Sequence, residues 1–290
     1  MKKFAVLLIF CAPALFGQPE VGLKGILEWD KMEITAAVSL DLASANIKLP
    51  TGRTRGEALI ESEYLRLIRP GLLDLPVDSS STIADLIERG EYSLAEAENF
   101  ALGAKALAPV LSPDLRSLRV SYSASLAGLS STLLRHRRPA ETMRTLSPVP
   151  VPAYTGIIII ASGELPVHGR KGSAPLQPCL FPKIWDTGMN LVYERSMLDP
   201  SRDSMIRYAP SDDVFGSGLS AGSLAPAGSR PLRILARGVF GERPTDPIID
   251  REDALLIISS EENRRLLREG RVFIVLDDSA LKVPLGTGRD

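Results

Sequence analysis

Gly218-Leu219-Ser220-Ala221-Gly222 has the spacing of a nucleophile elbow, the turn that lifts a serine hydroxyl beside an oxyanion hole. Such an elbow needs a buried strand before it and a helix after it. Phe215-Gly216-Ser217 precedes it and Pro226 follows, a setting that indicates neither. The base is also misplaced. In hydrolases of that class the histidine follows the serine, whereas His136 and His168 both precede Ser220. The same stretch reads Gly216-x-Gly218-x-x-x-Gly222, close to a dinucleotide loop, but no helix N-terminus follows to hold a phosphate. A Gly/Ser loop without chemistry is the expectation.

The other reactive residue types are as sparsely supported. His168 lies in a basic turn, His168-Gly169-Arg170-Lys171-Gly172, with no carboxylate patterned against it, so a solvated loop histidine is expected rather than a general base. Asp277-Asp278 follow an apolar run, a place where acidic residues can hold Mg²⁺ beside a phosphate. Asp212-Asp213 could take Ca²⁺. Neither pair has the spacing of a calcium loop, and turn or cap formation is the expected role. With two His and two Cys in the chain, multi-ligand zinc, haem and iron–sulfur centres are disfavoured. Arg135-His136-Arg137-Arg138 could touch an anionic surface. It lacks interleaved aromatics, however, and Lys+Arg 34 against Asp+Glu 35 leaves a net charge of −1, so no nucleic-acid partner is expected. No catalytic, cofactor-binding or metal-ligating residue is assigned, and a non-enzymatic role is expected.

Residues 1–17 carry the compartment signal. Lys2-Lys3 form a positive start, Phe4 to Phe16 is almost wholly apolar, and Gly17-Gln18-Pro19-Glu20 ends the run, the layout of a secretory signal peptide. The run is shorter than the ~20 residues a permanent transmembrane helix needs. Cys11 would tie the chain to the outer membrane if lipidated, but bulky Phe10 before it argues against that. Cys179 is then the remaining thiol and is expected to be a small buried apolar residue. A periplasmic protein with no membrane span after signal removal is the expectation.

Candidate sites need elements to hold them. Ile34, Ala36, Val38, Leu40 and Leu42 alternate with polar or small residues, as do Leu118, Val120, Tyr122, Ala124 and Leu126, which predicts two half-buried strands. Between them the spacing predicts three helices. The first is capped by Thr51 or Thr54 and stopped at Arg69-Pro70-Gly71, and the second spans about Ser81 to Arg89. The third opens on the capping box Ser93-x-x-Glu96 and ends at Ala108-Pro109. Later, Ile157–Ala161 and Val272–Leu276 are continuous apolar runs, expected as strands buried on both faces. Further strands are expected at Leu180–Trp185, Leu191–Glu194, Leu232–Ala236 and Ala254–Ile258, and a helix at Ser260–Glu269, stopped by Gly270.

The 290 residues, 44% hydrophobic and 24% charged, allow two domains at roughly 100–200 residues each. Ser147-Pro148-Val149-Pro150-Val151-Pro152 favours an extended connector without hydrogen-bonded partners. The expected organisation is a signal peptide at 1–17, an N-terminal α+β domain at 26–138, a Pro-rich linker at 139–152 and a C-terminal α+β domain at 153–285. The last carries a long loop at 199–230. Each domain is expected to be a mixed or antiparallel sheet with a few covering helices.

Tyr154 to Gly163, Pro178–Trp185, Val192-Tyr193-Glu194, Asp250–Ser259 and Gly270–Asp277 together resemble the LPP20-type lipoproteins and the flagellar P and T assembly proteins of the bacterial periplasm. The resemblance implies an envelope assembly component with envelope or flagellar protein partners, and it carries over no catalytic residue. The expected function is therefore structural: an exported cell-envelope protein acting by protein–protein contact, associated with the periplasmic flagellar apparatus. Half-polar strand faces and the 199–230 loop would be its contact surfaces. Tyr122, Trp185 and Tyr193 are read as core first and contact hot spots second. The alternatives are an envelope hydrolase with an unrecognised carboxylate site and a peptidoglycan- or small-ligand-binding module.

Overall fold

A computed structural model describes residues 20–145, 150–201, 205–215 and 222–285. The signal segment with Cys11, the Leu146–Val149 stretch and the core of the Gly218–Gly222 motif, Ser220 included, lie outside the described residues.

The first domain is built on alternation. β1 (Val21–Glu28) and β2 (Glu33–Asp41) form an antiparallel pair, with Ile34, Ala36, Val38 and Leu40 of β2 buried on one face. α1 (Arg53–Leu73) lies over that face through Gly56, Ile60, Tyr64, Ile68, Gly71 and Leu72, the spacing of a single helical stripe. α2 (Ile83–Glu88) and α3 (Leu94–Leu102) follow, then the two-residue strands β3 (Lys105–Ala106) and β4 (Val110–Leu111). β5 (Ser117–Ser125) pairs with β2 along its whole length, and α4 (Leu126–Leu133) closes the domain. Tyr122 of β5 stacks on Tyr64 at 3.9 Å between ring centroids, which joins helix to sheet.

Helix ends test the sequence reading. Ser93 accepts from the Glu96 amide while the Glu96 carboxylate accepts from the Ser93 amide, the expected capping box. Ser93→Ala is expected to cost about 0.5–2 kcal/mol in chemical denaturation, because the Glu96 amide loses its acceptor. α2 carries the same device unannounced, with Thr82 and Asp85 as the pair. Three expectations need correction. α1 is capped by neither Thr51 nor Thr54; Gly52 sits at the cap without a side-chain bond. α1 also runs past Pro70 to Leu73, because burial of Gly71 and Leu72 outweighs the one hydrogen bond proline removes in a last turn. α3 ends at Leu102, not Ala108, and the next residues turn into β3 along the edge of β5.

The second domain has a mixed sheet. β6 (Ile157–Ile160) is an interior strand, and Ile157, Ile158 and Ile159 of its continuous isoleucine run are buried as expected. β7 (Glu164–Pro166) and β8 (Ser173–Pro175) make a separate hairpin. β9 (Ile184–Asp186) and β10 (Leu191–Tyr193) form one margin. β11 (Arg207–Pro210) forms the other, followed by the single turn α5 (Asp212–Phe215). β12 (Leu232–Phe240) and β13 (Asp246–Ile249) then return as an antiparallel pair. α6 (Arg251–Ile258) and α7 (Glu261–Arg268) precede β14 (Val272–Leu276), α8 (Asp278–Leu281) and β15 (Lys282–Leu285). The order across the sheet is β10-β9-β13-β12-β6-β14-β11, with β11, β14, β6 and β12 parallel. The chain is thus α+β in two domains, the first sheet antiparallel and the second mixed.

Several expectations for this half are corrected. Residues 254–258 are helical rather than a strand, since Asp250 at the cap and Glu252 and Asp253 in the first turn favour a helix start. Only the end of 180–185 is strand. Residues 199–230 are not one long loop, because β11 lies inside them with Tyr208 and Ala209 fully buried. The Pro-rich connector does have hydrogen-bonded partners. Buried Asn263 accepts from the Tyr154 amide at 3.0 Å and donates to the Pro152 carbonyl at 3.0 Å, while the Ala140 amide donates to Ser196.

The two domains share one core. β15, the last described strand, leaves the second domain and pairs with β1, completing a first sheet of order β15-β1-β2-β5-β3 with β4 beside β5. One continuous cluster of buried side chains includes Leu27, Trp29 and Ile60 from the first domain and Ile157, Tyr208 and Val272 from the second. Trp29 stands edge-on to Tyr208 at 5.6 Å between ring centroids. A second joint docks residues 76–79 onto the second domain. Leu180 and Phe181 amides donate to the Pro76 and Val77 carbonyls, and the Arg243 amide donates to Ser79.

Candidate functional site

Between these joints lies a cleft of about 460 Å³. Its floor is at the carboxyl ends of the parallel strands β6 and β14, where Ala161 and Asp277 follow the strands. Ligands of open α/β sheets sit outside the carboxyl ends of strands, and small-molecule sites favour domain interfaces, so two independent preferences meet here. Leu27, Trp29 and Pro76 of the first domain form one wall. Pro175, Leu176 and Pro178 form the other, and Ala280 and Val283 line the approach. Gln177, Ser279 and Asp277 supply the polar groups.

Asp277 holds its place through the loop after β6. Its Oδ2 accepts from the Gly163 amide at 2.8 Å, and Gly163 has φ +79°, a left-handed conformation that glycine adopts without strain. The Ala161 amide donates to the Val275 carbonyl, so the two strand ends stay in register up to the carboxylate. Asp278 points elsewhere in the fold, in the first turn of α8 and exposed. The sequence pair is therefore split, and only Asp277 reaches the cleft.

The other sequence candidates stay dispersed. His168 is exposed, its ring edge-on to Phe240 at 5.9 Å and its amide donating to Val239. His136 Nε2 lies 2.8 Å from the Leu198 carbonyl. Arg135 pairs with Glu96 at 2.8 Å and lies over the Tyr92 ring, so the head of the basic cluster braces α3. Asp213 accepts from the Ser223 amide and hydroxyl, a loop clasp. Tyr122 and Tyr193 are core, and Trp185 is half-buried against Phe240. Cys179 is fully buried, and burial pushes its thiol up, away from the reactive thiolate. Among the described residues no three His, Cys, Asp or Glu side chains converge as metal ligands, and no helix is long and apolar enough to cross a membrane.

One buried carboxylate was not visible in the sequence. Asp246, fully buried at the start of β13, accepts from the Lys183 amide at 3.1 Å, Thr245 Oγ1 at 3.0 Å and Trp185 Nε1 at 3.4 Å. Ser79 of the first domain also donates to it, which places the carboxylate at the second joint. Burial raises its pKa, and these hydrogen bonds pull the other way without cancelling the rise. The sign for stability follows. Between its ordinary value and the raised folded value the native state holds the extra proton, so unfolding free energy falls as pH rises through that window. Asp246→Asn is expected to flatten this slope, measured as midpoint against pH in denaturant titrations.

Sequence reasoning also missed an apolar edge. Leu102, Leu107, Val110 and Leu115 are 61%, 50%, 62% and 59% exposed, strung along the segment in which β3 and β4 fringe β5. Expecting one helix through Ala108 hid it. Exposed apolar residues beside an open strand edge are candidates for an interaction surface.

Residues 20–132 match the family model of the Treponema pallidum Tp0624 N-terminal domain. No curated protein matches the chain. Residues 156–278 match the Tp0624 second domain, so the chain is similar in two successive segments, and in the same order, to the first two domains of that protein.

Proposed function

We propose that this is an exported structural protein of the bacterial cell envelope that works by binding another protein rather than by chemistry. The observation that carries the reading is the apolar edge at Leu102, Leu107, Val110 and Leu115 beside the short fringe strands of the first sheet. Two-residue strands leave much of an edge open, and an open edge with apolar neighbours suits addition of a partner strand. The shared core beneath it makes the edge a rigid platform. The narrower form of the proposal, partners in the periplasmic flagellar apparatus, rests on the strand-pattern resemblance alone.

Photo-crosslinking in the native cell tests it. A crosslinker at position 107 or 110 is expected to trap an envelope protein, and one at exposed Arg170, remote in the fold, is not. Leu107→Glu with Val110→Glu is expected to abolish the crosslinked species while leaving the unfolding free energy within about 1 kcal/mol of wild type, since both side chains are at least half exposed. Cytosolic fractionation of the protein, or crosslinks indifferent to position, would overturn the reading.

A further inference from the structure

We propose that the interdomain cleft binds a small amphipathic cation, a molecule with an apolar body and one positively charged end. This ligand is independent of the protein contact at the apolar edge. The volume of about 460 Å³ holds roughly fifteen water-sized groups at ~30 Å³ each. The walls, Leu27, Trp29, Leu176, Ala161, Ala280 and Val283, are apolar and nearly all supplied by well-packed elements, so the cleft is formed before any ligand arrives.

Charge chooses the occupant. Asp277 is the one charged side chain among the lining residues; Gln177 and Ser279 are neutral. A carboxylate offers about four acceptor sites, and the partner described for Asp277 is the single Gly163 amide. Among the described residues no Lys, Arg or His pairs with it, whereas other carboxylates such as Glu28 and Asp250 do have a cation. An anionic ligand would meet like charge at the rim, and a purely apolar one would leave the carboxylate's acceptors to water. A cationic end provides donors to Asp277 while the body displaces water from the Trp29 wall.

Decylamine, decanol and decanoate, each below its aggregation concentration, test the proposal by calorimetry and by tryptophan fluorescence, since Trp29 lines the cleft. The amine is expected to bind one to one and at least about tenfold more tightly than the carboxylate. Asp277→Asn is expected to erase that preference while leaving decanol binding unchanged. Asparagine can still accept from Gly163, so the variant keeps the loop. Ala280→Leu, which fills the cleft from α8, is expected to lower the affinity of all three probes. Absence of saturable binding by the amine, equal affinity for amine and carboxylate, or a preference that survives Asp277→Asn overturns the proposal. None of these outcomes depends on the Leu107 edge.

Discussion

Trp29→Ala is expected to lower the stability of the whole molecule by about 3–5 kcal/mol and to do so in a single unfolding transition. The ring is 1% exposed and belongs by sequence to the first domain, yet it packs edge-on against Tyr208 of β11 in the second. Its amide donates to the Leu281 carbonyl just before β15. Truncation therefore leaves a cavity walled by both domains, and neither can collapse to fill it without moving the other. Loss of the edge-to-face pair adds about 0.5–1.5 kcal/mol within that total. Denaturant titration followed by far-ultraviolet dichroism and by thiol exposure of Cys179 checks the point. Coincident curves with a lowered midpoint and unchanged slope are expected. Two separated transitions, with the first domain alone shifted, would show that the shared core does not couple the domains.

The second large effect is at the other joint. Gly241 has φ +115°, and a Cβ built there would lie 2.4 Å from Ser79 Cβ and 2.6 Å from the Arg243 carbonyl oxygen. Gly241→Ala thus adds a conformation that L residues adopt at about 1–3 kcal/mol to a collision with the opposite domain. The loss should exceed the conformational cost alone. Ser79→Gly relieves the first collision but not the second, and it also removes a donor from buried Asp246. A double-mutant cycle on 79 and 241 is expected to show favourable coupling, the double variant being more stable than the sum of the single losses. Strict additivity would mean that the joint opens freely around the new methyl group.

What the sequence revealed and what it hid divide along a physical line. β6 was legible because an unbroken isoleucine run has few homes other than a strand covered on both faces, and α3 because Ser93 and Glu96 satisfy each other's amides within four residues. Residues 254–258 misled because five apolar residues fit a strand or a helix face equally, and the acids before them were the better signal. Contacts between distant residues left no local trace. Lys282-Val283-Pro284-Leu285 has no strand alternation to announce it, and its partner is β1. The cleft was not legible: Asp277 stood out only as an acid just after a strand with a turn or cap role expected, and the structure places it on the cleft floor. Trp29, Leu176 and Val283 around it are indistinguishable from ordinary core in one dimension.

The pairing of Gly25 with Leu285 sets a timetable for the molecule. The opening strand acquires its outer neighbour only after residues 282–285, about 260 positions later in sequence, have emerged from the ribosome. Until then it offers bare amides and carbonyls to any passing strand, and pairings so remote along the chain form slowly. A nascent chain stalled before residue 282 would be a natural client for a holding chaperone, and emergence of β15 would be the step that releases it.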